Sequence, residues 1–230
     1  MLDKKTKERQ LLLADEMVRT ALLGIKRSTW RPIPEQLGQK GIPSTNPYGI
    51  AGDKLYVREA WNLIKRGRRK CRTWEDSIPT KHPKGWELVY RADQGSYFTG
   101  PWKPSIFMPR WASRVLYRIR SISPRRLQSI TLKEIWLDGI RIPATKRDDG
   151  KTTPFIRITG KYPPVDYVDK LFTRWTEKEL FQAHFASAWD SMYFKRGYAW
   201  STNPWCWYIR LEKLEGSKTD FPNQKFMGFC

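Results

Sequence analysis

Cysteine and histidine are scarce in this 230-residue chain, at three and two copies. Cys71, Cys206 and Cys230 lie far apart, no CxxC occurs, and His82 and His184 stand alone. A zinc centre draws on about four Cys or His ligands at short paired spacings, so Cys/His metal catalysis is set aside and no cofactor is expected. Thiols this few and scattered fit a reducing compartment, the cytoplasm. Cys206, between two tryptophans in an expected strand, reads as a small core hydrophobe. The motifs GxSxG, HExxH, GxGxxG and the P-loop are all missing, which removes the common hydrolase, zinc and nucleotide signatures. Long apolar runs are missing too. Leu11 to Leu13 is followed at once by Asp15 and Glu16, too short for a signal-peptide core. No stretch approaches the roughly 18 apolar residues of a membrane span, so neither secretion nor membrane insertion is expected.

Acidic residues are the other shortage. Asp+Glu number 23 against 43 Lys+Arg, leaving a formal charge of +20. Residues 94–133 contain no acid and carry Lys103, Arg110, Arg114, Arg118, Arg120, Arg125, Arg126 and Lys133. Six cations fall within residues 65–72: Lys65, Arg66, Arg68, Arg69, Lys70 and Arg72. Arginine forks onto phosphate and stacks on bases, and aromatics are interleaved with these cations, among them Trp61, Trp74, Trp86, Trp102, Trp111 and Tyr117. Cationic grooves bearing stacking platforms hold single-stranded nucleic acid. The competing interpretation is a solvated basic face that confers solubility. An anionic membrane surface is disfavoured because no strongly amphipathic basic helix occurs. Most of the 12 tryptophans read as core, with Trp30, Trp102 and Trp111 set apart because they adjoin Pro or Arg in loop-like contexts.

The 40% hydrophobic and 14% aromatic content specifies a folded chain with a sizeable core. Repeats and Gly/Ser linkers are absent, so no domain boundary is marked. The expected organisation is a basic tail over 1–10, one domain over 11–214 and a C-terminal tail over 215–230. Leu11 to Leu13 reads as a short strand, and Met17, Val18, Ala21, Leu22 and Ile25 as a helix ending near Gly24. Residues 31–52, with four prolines, read as loop. Alternation predicts strands over Lys54–Glu59, Arg114–Ile122 and Trp205–Leu211. Thr131 with Glu134 predicts a capping box on a short helix ending at Asp138-Gly139. Thr176 with Glu179 predicts another on the longest helix, striped by Phe181, Phe185, Ala188, Trp189 and Met192. Residues 62–105 read as a basic, aromatic insertion and 141–163 as polar loop. Short strands among three helices define an α+β fold, or a small barrel with helical decoration, rather than a parallel βαβ sheet.

With so little histidine, a His-based triad is disfavoured. His184 reads as structural within the long helix, and His82 as an exposed loop residue. Lys26-Arg27-Ser28-Thr29 follows the first helix directly. A lysine near other cations and partly desolvated loses its proton more easily and can serve as base for a neighbouring hydroxyl. The competing role for Lys26 is interaction with the helix C-terminal dipole.

Several ordered blocks carry a family pattern. Met17-Val18-Arg19, Gly24, Lys26-x-x-Thr29-x-Arg31, Pro47-Tyr48-Gly49 and Gly52 to Glu59 come first. Tyr90-Arg91-Ala92-Asp93, Pro104 to Arg114 and Asn203-Pro204-Trp205-Cys206-Trp207 follow. Together, over about residues 11–214, they resemble phage- and prophage-encoded ASCH-domain proteins of the PUA-like superfamily. The resemblance implies a small PUA-like β-barrel beside helices, with insertions at about 62–105 and 141–200, and RNA binding in the cytoplasm of a bacterial host. Some small ASCH proteins remove acetyl from acetylcytidine with a Lys, a Thr three residues later and a Glu. Lys26 and Thr29 match the first two, and the Glu position falls on Asp138, one methylene shorter; Glu59 and Glu134 are other candidates for it. Trp30 departs too, where the phage proteins commonly have Arg. Other ASCH proteins are ribonucleases.

Three functions follow as expectations. The first is binding of RNA or single-stranded DNA, with Arg27, Arg31, Arg58, Arg110, Trp111 and Arg114 lining the pocket and Lys65, Arg66, Arg68 and Arg69 in a peripheral phosphate clamp. The second is hydrolysis of a modified nucleoside or of RNA by Lys26, Thr29 and Asp138. The third is a non-catalytic phage structural or assembly protein whose basic surface meets an acidic partner.

Overall fold

The computed structural model describes residues 6–34, 46–65, 72–74, 77–93, 98, 100–140, 144–146, 152–154 and 177–214. Arg66, Arg68, Arg69, Lys70, Cys71, Thr176 and the tail from Gly216 to Cys230 lie outside them. The elements run β1 (Glu8–Leu12), α1 (Asp15–Leu22), β2 (Ser28–Pro32), β3 (Lys54–Arg58), β4 (Trp61–Lys65), β5 (Arg72–Thr73) and β6 (Glu87–Tyr90). There follow β7 (Leu116–Arg126), α2 (Leu132–Leu137), β8 (Ala144–Lys146), β9 (Thr152–Pro154), α3 (Glu177–Tyr193) and β10 (Trp205–Lys213). The class is α+β. Five strands form one sheet in the order β1-β3-β7-β10-β2, three form β5-β4-β6, and β8 pairs with β9. The large sheet is open, with β1 and β2 as its two edges, so the described strands do not close a barrel. It is also mixed, because β1 runs parallel to β3 with Glu8 opposite Lys54 and Leu12 opposite Arg58, whereas β3 and β7 are antiparallel.

The chain separates into two compact units. The first comprises residues 1–27, 44–122 and 209–221; the second comprises 28–43, 123–208 and 222–230. β7 and β10 each contribute residues to both.

In the first unit, Asp15 and Glu16 occupy the first turn of α1, where carboxylates favour the helix dipole. Val18, Ala21 and Leu22 are buried at helical spacing, and Gly24 ends the segment at φ +72°. Leu55 and Val57 of β3 turn inward, as their alternation predicts. The turn before β3 is set by Asn46, whose Oδ1 accepts the amides of Tyr48 and Gly49. Gly49 has φ +109°, and a Cβ there would stand 2.4 Å from both Arg9 and Asp53 side-chain atoms, so only glycine fits. Residues 62–105 hold the β5-β4-β6 sheet around Trp61, Leu63, Met108 and Ala112, against which Trp74, Trp86, Tyr90 and Trp111 pack.

In the second unit, the expected capping box on α2 is complete. The Glu134 amide donates to Thr131 Oγ1 at 3.3 Å and the Thr131 amide to Glu134 Oε2 at 2.9 Å. Phe181, Phe185 and Trp189 are buried along α3, but Met192 is 44% exposed and Tyr193 takes the inward place. Four residues on from Trp189, Tyr193 keeps the stripe in phase. Within the polar stretch 141–163 a short hairpin pairs Ala144 with Pro154 and Lys146 with Thr152. Trp30, set apart as loop-like, belongs to β2 and is 3% exposed, its ring tilted 36° against that of Tyr208 at 4.7 Å. Cys206 to Tyr208 are all buried rather than alternating, as suits an interior strand covered on both faces.

Candidate nucleic-acid interface

Tyr56 and Arg58 share one face of β3, two residues apart. Arg58 lies 5.6 Å from the centre of the Tyr56 ring, and Arg110 lies 5.1 Å from it. One half-buried tyrosine therefore carries two guanidinium groups. Each is anchored separately. Arg58 donates to the carbonyl of Ile106 at 2.7 Å, and its Nε is buried with no hydrogen-bond partner among the described residues. Arg110 donates to Glu8 at 2.8 Å, and that contact, first among its causes, holds the Glu8 carboxyl below its ordinary range. The carbonyl that Arg58 holds belongs to a short 3-10 turn, Ser105–Phe107, between Pro104 and the fully buried Met108. On that turn Ile106 and Phe107 are 56% and 54% exposed. Cation–π contacts of this kind leave ring edges and guanidinium donors open to a further partner.

The remaining expected ligands fall elsewhere. Arg114 is not on a surface but 8% exposed, forking onto Glu59 with both contacts at 2.8 Å. A third donor reaches Asp93 at 2.7 Å, and the guanidinium lies 3.9 Å from the centre of the Tyr90 ring. Burial pushes the Glu59 carboxyl above its usual range, with the Arg114 fork pulling the other way. Arg114 is satisfied within the protein, which removes it from the expected pocket and makes it an internal brace. Trp111 is half-buried, edge-on to Trp61 at 6.4 Å and His82 at 5.5 Å, with its indole N–H donating to the Pro79 carbonyl at 2.9 Å. Arg27 is exposed and bonds the Gly24 carbonyl at 3.2 Å, and Lys65 is exposed at the end of β4. Arg66, Arg68 and Arg69 lie outside the described residues.

Of the expected catalytic set, Lys26 belongs to the first unit and is 1% exposed, its ammonium 3.8 Å from the Met17 sulfur. Thr29 and Asp138 belong to the second, and both are buried. Asp138 is the C-cap of α2, its amide donating to the Glu134 carbonyl at 2.8 Å while the Gly139 amide donates to that of Trp136 at 3.1 Å. Glu134, the other candidate acid in that unit, serves the capping box and Arg125. Against the cost of its burial, the Thr131 amide and Arg125 hold its carboxyl below the ordinary range.

The second unit has a cation–aromatic stack of its own. Arg125 lies 5.2 Å from the centre of Trp30 and 5.1 Å from that of Tyr208, and Arg126 lies 4.8 Å from Trp205. Arg31 donates to the Tyr193 hydroxyl at 3.0 Å.

Tyr56, Ile106 and Phe107 had not been singled out from sequence. For Tyr56 the signal was present in the alternation, which puts it on the face of Lys54 and Arg58. For the other two it was an apolar pair between Pro104 and Pro109 inside an acid-free stretch. Among the described residues no group of three or more His, Cys, Asp or Glu could hold a metal ion. No described helix is long and apolar enough to cross a membrane. Comparison with protein-family models, with curated proteins and with solved structures finds no match to this chain.

Proposed function

We propose that this protein is an ASCH-type, PUA-like module that binds RNA or single-stranded DNA. The observation carrying the proposal is the pair of guanidinium groups on Tyr56, in a chain of net charge +20. Arg58 and Arg110 supply phosphate and base-edge donors, and the aromatic ring fixes their planes. The finer fold assignment is supported by the mixed five-stranded sheet with α1 directly after its edge strand β1. It also draws on the sequence blocks at Pro47 to Glu59 and Pro104 to Arg114, which here form the turn, strand and 3-10 segments around the array. The test is fluorescence anisotropy with labelled oligouridylate and oligodeoxythymidylate across a salt series. Log affinity should fall with log salt by about 0.7 per neutralised phosphate, and Arg58→Ala should remove about one such step. Affinity that is indifferent to salt would end this assignment.

A second function is favoured by one observation, the burial of Lys26 at 1% exposure. Lysine is rarely buried so completely, and the family resemblance gives this one a chemical role. In this reading Lys26 is the base of an amidohydrolase acting on acetylated cytidine, the role that the family resemblance gives it. Incubation with acetylcytidine should release cytidine from the wild type and not from Lys26→Met. Release by both proteins, or by neither, rejects it.

A further inference from the structure

We infer that Phe107, with Ile106, forms a stacking tip that takes an unpaired base of the strand whose phosphates meet Arg58 and Arg110. This rests on the nucleic-acid reading above and names the platform within that site.

Phe107 and Ile106 are adjacent, and each leaves more than half of its surface in water. Large apolar side chains left side by side in water at a turn forgo the gain of burial, and exposed apolar surface of this kind marks contact sites. The turn is held from both sides. Met108, immediately after it, is fully buried in the Trp61 core, and its amide returns to the Ser105 carbonyl. Arg58 grips the Ile106 carbonyl at 2.7 Å. The tip is thus tied directly to one of the two cations on Tyr56, and the other, Arg110, comes three positions after Phe107.

Charge decides the occupant. Residues 94–133 contribute no carboxylate, Glu8 answers only Arg110, and Arg58 holds the tip's own carbonyl, so an anionic backbone with an apolar, flat side group fits. Single strands have that chemistry, and every base has a π-face that a phenyl ring can stack on. Duplexes hide those faces. Trp111, the aromatic expected from sequence to stack, has its ring engaged with Trp61 and His82, whereas Phe107 is an exposed phenyl ring on the turn that Arg58 holds.

The experiment measures anisotropy of labelled oligouridylate, oligodeoxythymidylate and a duplex against wild type, Phe107→Ala, Phe107→Trp and Phe194→Ala. Phe194 is 63% exposed and belongs to the other unit, so it controls for loss of any exposed ring. Phe107→Ala should weaken single-strand binding at least about fivefold while leaving the salt slope unchanged. Phe107→Trp should retain or improve affinity, and Phe194→Ala should match wild type. The RNA and DNA arms then tell which strand is preferred. Strong, salt-dependent binding by Phe107→Ala equal to wild type would overturn the stacking tip while leaving the nucleic-acid reading intact. Equal loss with duplex and single strand would also overturn it, because a duplex offers no free base. No salt-dependent binding by wild type would remove both. Binding of the wild type to phosphatidylserine vesicles but to no oligonucleotide would reassign the tip to a membrane surface.

Discussion

At the scale of single residues, the clearest energetic statement concerns Glu59 and Arg114. Both are buried, and removing one partner strands the other charge away from water. Arg114→Ala should therefore cost about 3–5 kcal/mol, well above the roughly 1 kcal/mol of a surface pair. Replacing both at once, as Glu59→Leu with Arg114→Met, should recover most of that loss, because no charge is then left buried. Urea midpoints of the two variants check this, and a loss below about 1 kcal/mol in Arg114→Ala would show that the pair is solvated. Nothing local in the sequence announces the pair. Arg114 sits in a stretch without acids, and its partner lies 55 positions away, so counting charge along the chain puts it on a surface. Arg58 and Arg110 were legible by the same counting because they do reach a surface. Arg110 is exposed, and its acid, Glu8, is half in water.

At the scale of elements, the sequence was legible where the pattern is short-range. The box on α2 needs only Thr131 and Glu134, and both arms form as their spacing requires. Thr131→Ala should destabilise by about 1 kcal/mol, and Thr131→Ser by much less, because the hydroxyl is what accepts the Glu134 amide. Thermal melts of the two variants distinguish this from a general effect of side-chain loss, which would make them alike. Strands β1, β3, β7 and β10 were similarly visible through apolar clusters or alternation, with ends displaced by a few residues. β2 was not. Ser28, Thr29 and Trp30 are all buried in it, so no alternation exists to read, and two prolines follow within four residues. β4 was missed for the same reason, as Trp61 to Ile64 are all buried between β5 and β6. The closed barrel implied by family resemblance depends on which strands are neighbours, and that ordering is set by long-range pairing that no local pattern encodes.

At the scale of the molecule, the excess of 20 positive charges makes its 23 carboxylates the sole counterweight to self-repulsion. Among the described residues, Asp53, Glu8 and Glu134 have carboxyls held below their ordinary range. For Asp53 burial opposes ionisation, but the Lys7 amide, Arg9 and the Ile50 amide outweigh it. Glu8 is held by Arg110, and Glu134 by the Thr131 amide and Arg125. A carboxylate lowered on folding binds fewer protons folded than unfolded, so stability rises with pH across the interval between its two values. The contribution is complete above the unfolded value, near pH 4, and is lost as pH falls through the folded one. Glu59, raised by burial, works in the opposite sense to these three. The melting temperature should therefore hold steady from neutrality down to about pH 5 and then fall steeply. Asp53→Asn should lower the plateau and flatten the acid limb, since its carboxylate joins Arg9 and the turn at Gly49 to the start of β3. Added salt should raise the acid limb in wild type and variant alike, because it screens the net charge and not the short bonds to Asp53. Parallel acid limbs for wild type and Asp53→Asn would place the proton-linked stability in other groups.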